Sequence, residues 1–437
     1  MQNPRGKSES NSTRRTAVSS LVIIGLMFVG LIGFWWTTAM KTPVVAIPNP
    51  VMPHPNAFDF YVAAGNAVVG ETQIGDAVGI KQTVVYSMTQ KEALVQQNVG
   101  AIATLHQGFA YPYVNPPARS ISFFFPYYAK FRGMARLLSL QGQTRAGRGD
   151  WSGAAESYLD AIRMGEDIPH RSVLIGELVG IACQAIGRRP LWSAVDHLTA
   201  AQSRAAGTRL ASIMDRHFLY ADTLQEEKWF GQSALLEMFT NTKQHNIAVT
   251  VGDPGTEQGN GAAQSLSSFL YLAYSKSRIM GNYTTYMDKS SELARQSYGL
   301  HLPAPSMPTD PINRSLLPVF AETQLKDVES ETQNGLLLIV LALHTFRLEH
   351  GRYPASLQKL SPAYLKKLPE DPFAVQGTFK YKLQGKSYLL YSVGPDGNDD
   401  GGTPIDDVAQ ANNSNKNARY FVKQSSIGDV VAGKNMW

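Results

Sequence analysis

The chain has 437 residues, 43% hydrophobic and 17% charged, with one cysteine and a formal charge of +5. That length accommodates two or three domains with real cores, and the apolar share excludes a wholly disordered chain. The lone cysteine excludes an internal disulfide framework and any Cys-rich zinc module.

Residues 1–15 carry Arg5, Lys7, Arg14 and Arg15 against Glu9, so most of the net charge is a basic tail. The remainder is close to neutral, which argues against nucleic acid as a partner. Residues 16–40 contain no charge and include LVIIGLMFVGLIGFWW. As a helix this segment would extend about 37 Å, enough for a hydrocarbon core of about 30 Å. Trp35 and Trp36 stand where interfacial aromatics belong, and the basic flank predicts a cytoplasmic N-terminus. A cleaved signal peptide ending near Thr37-Thr38-Ala39 is the alternative, but the apolar run is long for one. The expected address is therefore the bacterial inner membrane, single-pass, with the bulk of the chain periplasmic.

Five prolines in 41–55 read as an extended spacer. Residues 56–311 read as a helical domain with apolar residues recurring at three and four. Its most legible part is AKFRGMARLLSLQGQTRAGRGDWSGAAESYLDAIRMGED, two amphipathic helices flanking a turn at Arg148-Gly149-Asp150. Ala154, Tyr158 and Ala161 take the small, aromatic and small positions of a tetratricopeptide-type pair, without a second copy at that period. Further helices are expected at 172–187, 190–206 and 208–240, with Gly176 and Gly180 permitting close helix contact. Cys183 reads as a small core residue. The Gly-rich stretch 252–265 reads as a mobile loop.

Beyond Pro311, residues 312–437 change character. Leu325, Val328, Thr332, Leu336, Ile339, Leu343 and Phe346 mark one face of a long helix that Gly351 stops. FKYKL and YLLYSV around Gln384-Gly385-Lys386 read as a hairpin, with a third strand at 419–423. The expected architecture is mainly α: a transmembrane helix, a helical-repeat-like middle and a small α+β module of one long helix on a three-stranded antiparallel sheet.

The run LHTFRLEHGRYPASLQKLSPAYLKKLPEDPF followed by YLLYSVGPDGNDDGG is similar to the globular domain of the major pseudopilin of type II secretion. It covers about 100 residues, less than a quarter of the chain. The whole chain resembles a family of membrane-anchored proteins of planctomycete-type bacteria. The anchor lacks the prepilin-peptidase pattern and lies far ahead of the matching helix, so pilin-like processing is not expected.

Asp396-Gly-Asn398-Asp399-Asp400-Gly401-Gly402 opens as D-x-[DN]-x-[DN]-G, and Asp407 takes the twelfth position. Hard oxygens at alternating positions suit Ca²⁺, with Asp396, Asn398, Asp400, the Gly402 carbonyl, Asp406 and Asp407 as candidate ligands. The pseudopilin resemblance implies calcium in the matching loop, held by Asp396 and by Asp406 or Asp407. Its role would be structural.

Nine aromatics between Phe109 and Phe131 form either core or a stacking surface for glycans, and core is the expectation. The histidines are scattered without an H-E-x-x-H pair, which argues against zinc. Glu226, Glu227 and Lys228 beside Trp229 read as a solvated helix face, the alternative being an acid/base pair. Nucleotide-binding and hydrolase motifs are missing from the sequence, and Ser356 with Lys359 fits S-x-x-K only by chance. The sequence thus predicts a non-enzymatic, membrane-anchored scaffold or interaction protein of the envelope, meeting unidentified envelope proteins. An envelope hydrolase or glycan-binding protein, and a component of a type II secretion-like system, are the rival readings.

Overall fold

The computed structural model describes residues 41–70, 86–240, 275–317, 320–410 and 416–435, with 26–27, 29–30, 33–34 and 37 ahead of them. The tail 1–15, the loop 252–265 and most of the expected anchor 16–40 lie outside the described residues. Among the described residues no helix is long and apolar enough to cross a membrane.

The chain divides into two compact units, a larger one of 48–231, 286–306 and 318–437 and a smaller one of 1–47, 232–285 and 307–317. The protein is mainly helical: α1 (Ala57–Ala67), α2 (Met88–Gln97), α3 (Val99–Gly108), α4 (Tyr127–Gly147), α5 (Trp151–Asp167), α6 (Leu174–Ala194), α7 (Ala200–Met214), α8 (Tyr220–Thr240), α9 (Lys276–Ala294), α10 (Pro311–Leu316) and α11 (Phe320–His350). In the smaller unit Asn313 donates to the Ile279 carbonyl at 3.0 Å and Gln232 to Thr284 at 2.9 Å, around buried Leu235, Phe239, Ile279 and Tyr283.

In the larger unit the expected helix pair is α4 and α5, joined at Arg148-Gly149-Asp150, where Asp150 caps α5 by accepting from the Gly153 amide. A Cβ on Gly142 would lie 2.1 Å from the Tyr158 ring, so only glycine lets that ring seat itself on α4. α6 lies as close on α5: a Cβ on Gly180 would meet the Gly165 carbonyl oxygen at 2.6 Å.

Two expected boundaries move. The helix from 172 does not stop at 187 but runs through Pro190 to Ala194, the missing amide costing one ladder bond in a segment anchored by buried Arg188 and Leu191. α7 starts at Ala200, capped by Thr199, whose side chain forms a capping box with Gln202. The single helix expected over 208–240 instead breaks after Met214, where Arg216 and His217 donate to the Ile213 and Met214 carbonyls in a tightened turn. That break sets His217 between α7 and α8.

The C-terminal sheet has the order β1-β2-β3 and is antiparallel throughout. β1 (Lys380–Gln384) pairs with β2 (Ser387–Ser392) in the register Gln384↔Ser387, so Gly385-Lys386 form the expected tight turn. The third strand is not 419–423. It is β3 (Val430–Val431), while Lys416–Tyr420 coil into a 3₁₀ turn. Both valines are buried against Tyr391 and Ser392, whereas Arg419 is drawn off to Asp406.

The boundary expected at 311/312 does not separate two cores. One apolar cluster runs from Ala154 and Leu210 through Leu336–Leu343 to Leu390 and Val430. Every residue of α11 from Thr332 to Thr345 is buried, so this helix is enclosed on all sides and not merely on one face. Asn334 within it accepts from buried Arg188 at 2.9 Å and donates to Gln184 at 2.8 Å. A second cluster gathers α1, α3 and α4 around Tyr61, Tyr113, Tyr128 and Phe131.

Candidate functional site

A cavity of about 710 Å³ opens in the larger unit between the α7–α8 link, α11 and the loop 369–377. His217, Asp327 and Glu331 line it, with Tyr298, Arg295 and Glu370 among the other lining groups. Asp327 and Glu331 are four apart on α11, so both carboxylates leave the same face one turn apart. The His217 Nε2 lies 3.2 Å from Glu331 Oε1 and 3.9 Å from Asp327 Oδ1. Its Nδ1 faces Glu166 Oε2, from the last turn of α5, at 3.4 Å. Behind them Glu177, in the first turn of α6, accepts from Thr223 Oγ at 2.8 Å and is fully buried.

Four carboxylates thus surround one imidazole. Burial disfavours the imidazolium, yet Glu331, Glu166 and Asp327 together raise the His217 pKa well above its ordinary value. Burial, then the nearby Glu177 charge, raises the Asp327 carboxyl well above the ordinary range. Burial pushes Glu177 up to about 7, with Glu166 and Glu331 adding to it and Thr223 and His217 opposing. Asp327 is singular among them. Its side chain is 7% exposed and, among the described residues, no donor reaches it within hydrogen-bond distance. Scattered across five positions between 166 and 331, this cluster has no signal in local spacing. The i,i+4 acidic pair on α11 is its only trace in the sequence.

The acidic loop is arranged differently. Asp396 accepts from the amides of Asn398 and Gly428 at 3.1 and 3.4 Å, and Asp399 from Tyr391 Oη at 2.9 Å. Asp406 is held bidentately by Arg419, and Asp407 accepts from the Ala409 amide. The Asp400 and Gly402 amides both point to Asp429, a buried residue that the spacing pattern omits. Burial, with Asp399 and Asp400 close by, pushes Asp429 up to about 6. Among the described residues, His217, Asp327 and Glu331 converge on one point as a metal would require, and no three carboxylates of the acidic loop do.

The other sequence candidates are structural. Glu226 and Glu227 are not a solvated face. Glu226 is buried between Arg119, at 2.9 Å, and Arg171, at 3.2 Å, and Glu227 accepts from the Leu174 amide to cap α6. Arg119 also lies over the Trp229 ring. The aromatic segment is mostly core, with Tyr113, Tyr127, Tyr128 and Phe131 buried and Phe124 exposed. Cys183 is fully buried, its thiol pushed up to about 12 by burial. Asp371, in the Leu368–Pro372 turn, accepts from Ser392 Oγ at 2.6 Å and the Val393 amide at 3.0 Å, pinning that turn to β2. Comparison of the chain with family models, with curated proteins and with solved structures gives no match.

Proposed function

We propose that this chain is a membrane-anchored scaffold or interaction protein of the bacterial envelope, its helical body and pseudopilin-like end carried outside the cytoplasm by residues 16–40. One observation supports a non-enzymatic body most directly. The acid/base candidates of α8 are taken up by architecture, Glu226 by two arginines and Glu227 by a helix N-terminus. Groups so engaged are poorly placed to shuttle protons. The shared core along α11 supports a rigid platform on which partners dock. In this reading the Asp396–Asp407 loop holds a structural Ca²⁺, with Asp429 adding a buried carboxylate beside Asp399 and Asp400.

The test is crosslinking and recovery of the full chain from its native membrane. Reproducible envelope partners are expected, and co-purifying secretion proteins would assign it to a secretion-like apparatus. Recovery of the chain alone would sink the scaffold reading. An envelope hydrolase is the second reading, favoured by the carboxylate-lined cavity. Turnover of peptidoglycan or polysaccharide by the wild type, lost in Glu331→Gln, would establish it.

A further inference from the structure

We infer that His217, Asp327 and Glu331 bind a divalent first-row cation, of the Zn²⁺ or Mn²⁺ kind, at the wall of the larger unit's cavity. The site is independent of the scaffold reading and of the calcium loop.

The three donor atoms all lie within 4.8 Å of one another. Ligands at about 2.0–2.2 Å from a common ion stand about 3–4 Å apart, which is the range of the His217 separations to Glu331 and Asp327. The tautomer is also arranged. Glu166 sits on Nδ1 and orients the ring as an outer carboxylate does for a metal-bound histidine, leaving Nε2 to face the other two carboxylates.

Asp327 separates a cation site from a simple imidazolium–carboxylate cluster. An imidazolium has two N–H groups, and here these meet Glu166 and Glu331. Among the described residues no donor comes within hydrogen-bond distance of Asp327, which is buried beside a fourth carboxylate, lines the cavity and has the His217 Nε2 only at 3.9 Å. A buried carboxylate without a hydrogen bond is costly unless something positive meets it more closely than an imidazole at 3.9 Å. One imidazole with two carboxylates suits Zn²⁺ or Mn²⁺ better than Ca²⁺, which takes six to eight oxygens. Three protein donors leave coordination positions for water or for an oxygen-donor ligand from the cavity.

The experiment uses the full chain in detergent, stripped with chelator and titrated calorimetrically with Zn²⁺, Mn²⁺ and Ca²⁺. Binding of Zn²⁺ or Mn²⁺ at a single equivalent is expected, with a rise in melting temperature. Asp327→Asn should weaken that binding at least tenfold while the metal-free chain melts no lower than wild type, because the carboxylate has no hydrogen bond to lose. A purely structural Asp327 would lower the metal-free melt. Glu331→Gln, at a half-buried position, is the second variant should Asp327→Asn fold poorly. With Co²⁺ as a probe, the absorption bands of the bound ion should change in His217→Ala. The inference is overturned if neither Zn²⁺ nor Mn²⁺ binds the stripped wild type. It is equally overturned if Asp396→Ala, and not Asp327→Asn or Glu331→Gln, removes the binding.

Discussion

Asp327 and Glu331 stand one helical turn apart on α11 and present their carboxylates to the same nitrogen of His217, at 3.9 and 3.2 Å. α11 is otherwise a greasy, enclosed helix over its next fourteen residues, Thr332 to Thr345. The charged turn therefore marks where the interior meets the cavity, and the electrostatics of that boundary decide several measurable properties.

Glu177 is fully buried and its pKa lies near 7, above the ordinary 4.5. Between those values the folded chain holds a proton that the unfolded chain has released. Stability therefore falls as pH rises, and the loss is complete above about 7. In chelator, Glu177→Gln should stabilise the chain by roughly 2–3 kcal/mol at pH 8 and by far less at pH 5. Gln keeps the oxygen that accepts from Thr223, so urea melts at the two pH values isolate the charge. Equal effects at both would refute the assignment.

His170 has the opposite sign. Burial, with Arg216 and His217 nearby and Asp167 only partly offsetting, holds it down at about 4 against 6.5. As pH falls below 6.5 the unfolded chain takes up a proton that the folded chain refuses, so stability declines toward pH 4. The contribution is roughly 2 kcal/mol by about pH 5. The difference between wild type and His170→Gln should grow in the variant's favour by that amount on going from neutral to about pH 5. Its Nε2 contact with the Arg216 carbonyl at 2.8 Å requires the neutral ring to donate there.

Gly180 tests the backbone approach of α5 and α6. With a Cβ the Gly165 carbonyl oxygen would be 2.6 Å away and Pro169 2.8 Å away, and neither is a flexible side-chain end. Gly180→Ala should cost about 2–3 kcal/mol, seen as a lower melting temperature, although alanine is the better helix former. Gly100→Ala, which meets nothing within 4 Å, should be neutral or stabilising.

The calcium proposed for the acidic loop is tested by melting the chain with and without the ion. Ca²⁺ bound only by the folded chain should raise the melting temperature of the full chain by several degrees over chelator. Asp396→Ala should remove that difference. Asp406 is engaged by Arg419, so Arg419→Gln frees it and should strengthen the calcium effect. A melt indifferent to Ca²⁺ in the wild type would remove calcium from the loop.

Local rules carried the sequence reading where local physics decides. The turn at Gly149-Asp150, the stop of α11 at Gly351 and the hairpin at Gly385-Lys386 are all written in short-range chemistry. The reading failed where tertiary contacts overrule it. Pro190 punctuates a sequence, but burial of Arg188 and Leu191 carries the helix across it. Val430-Val431 displaced Arg419–Lys423 as the third strand because the edge of β2 is buried, which a strand-propensity reading of 419–423 does not register. Glu226 and Glu227 looked solvated because their arginine and amide partners lie about 50 to 110 residues away in the chain. The His217 cluster was hidden for the same reason. Its members come from the end of α5, the start of α6, the α7–α8 link and α11.

The enclosure of α11 has a consequence for biogenesis. Ser203 on α7 bonds the Leu341 carbonyl, and Arg188 on α6 bonds Ser330 and Asn334, each across more than 130 residues of chain. A segment made more than 100 residues after α6 and α7 is thus the one those helices need at their centre. Until residues 320–350 are made, α6 and α7 keep an open apolar trough, a state prone to capture by holdase chaperones and proteases. A nonsense mutation anywhere before α11 would therefore yield not a shorter folded chain but a degraded one.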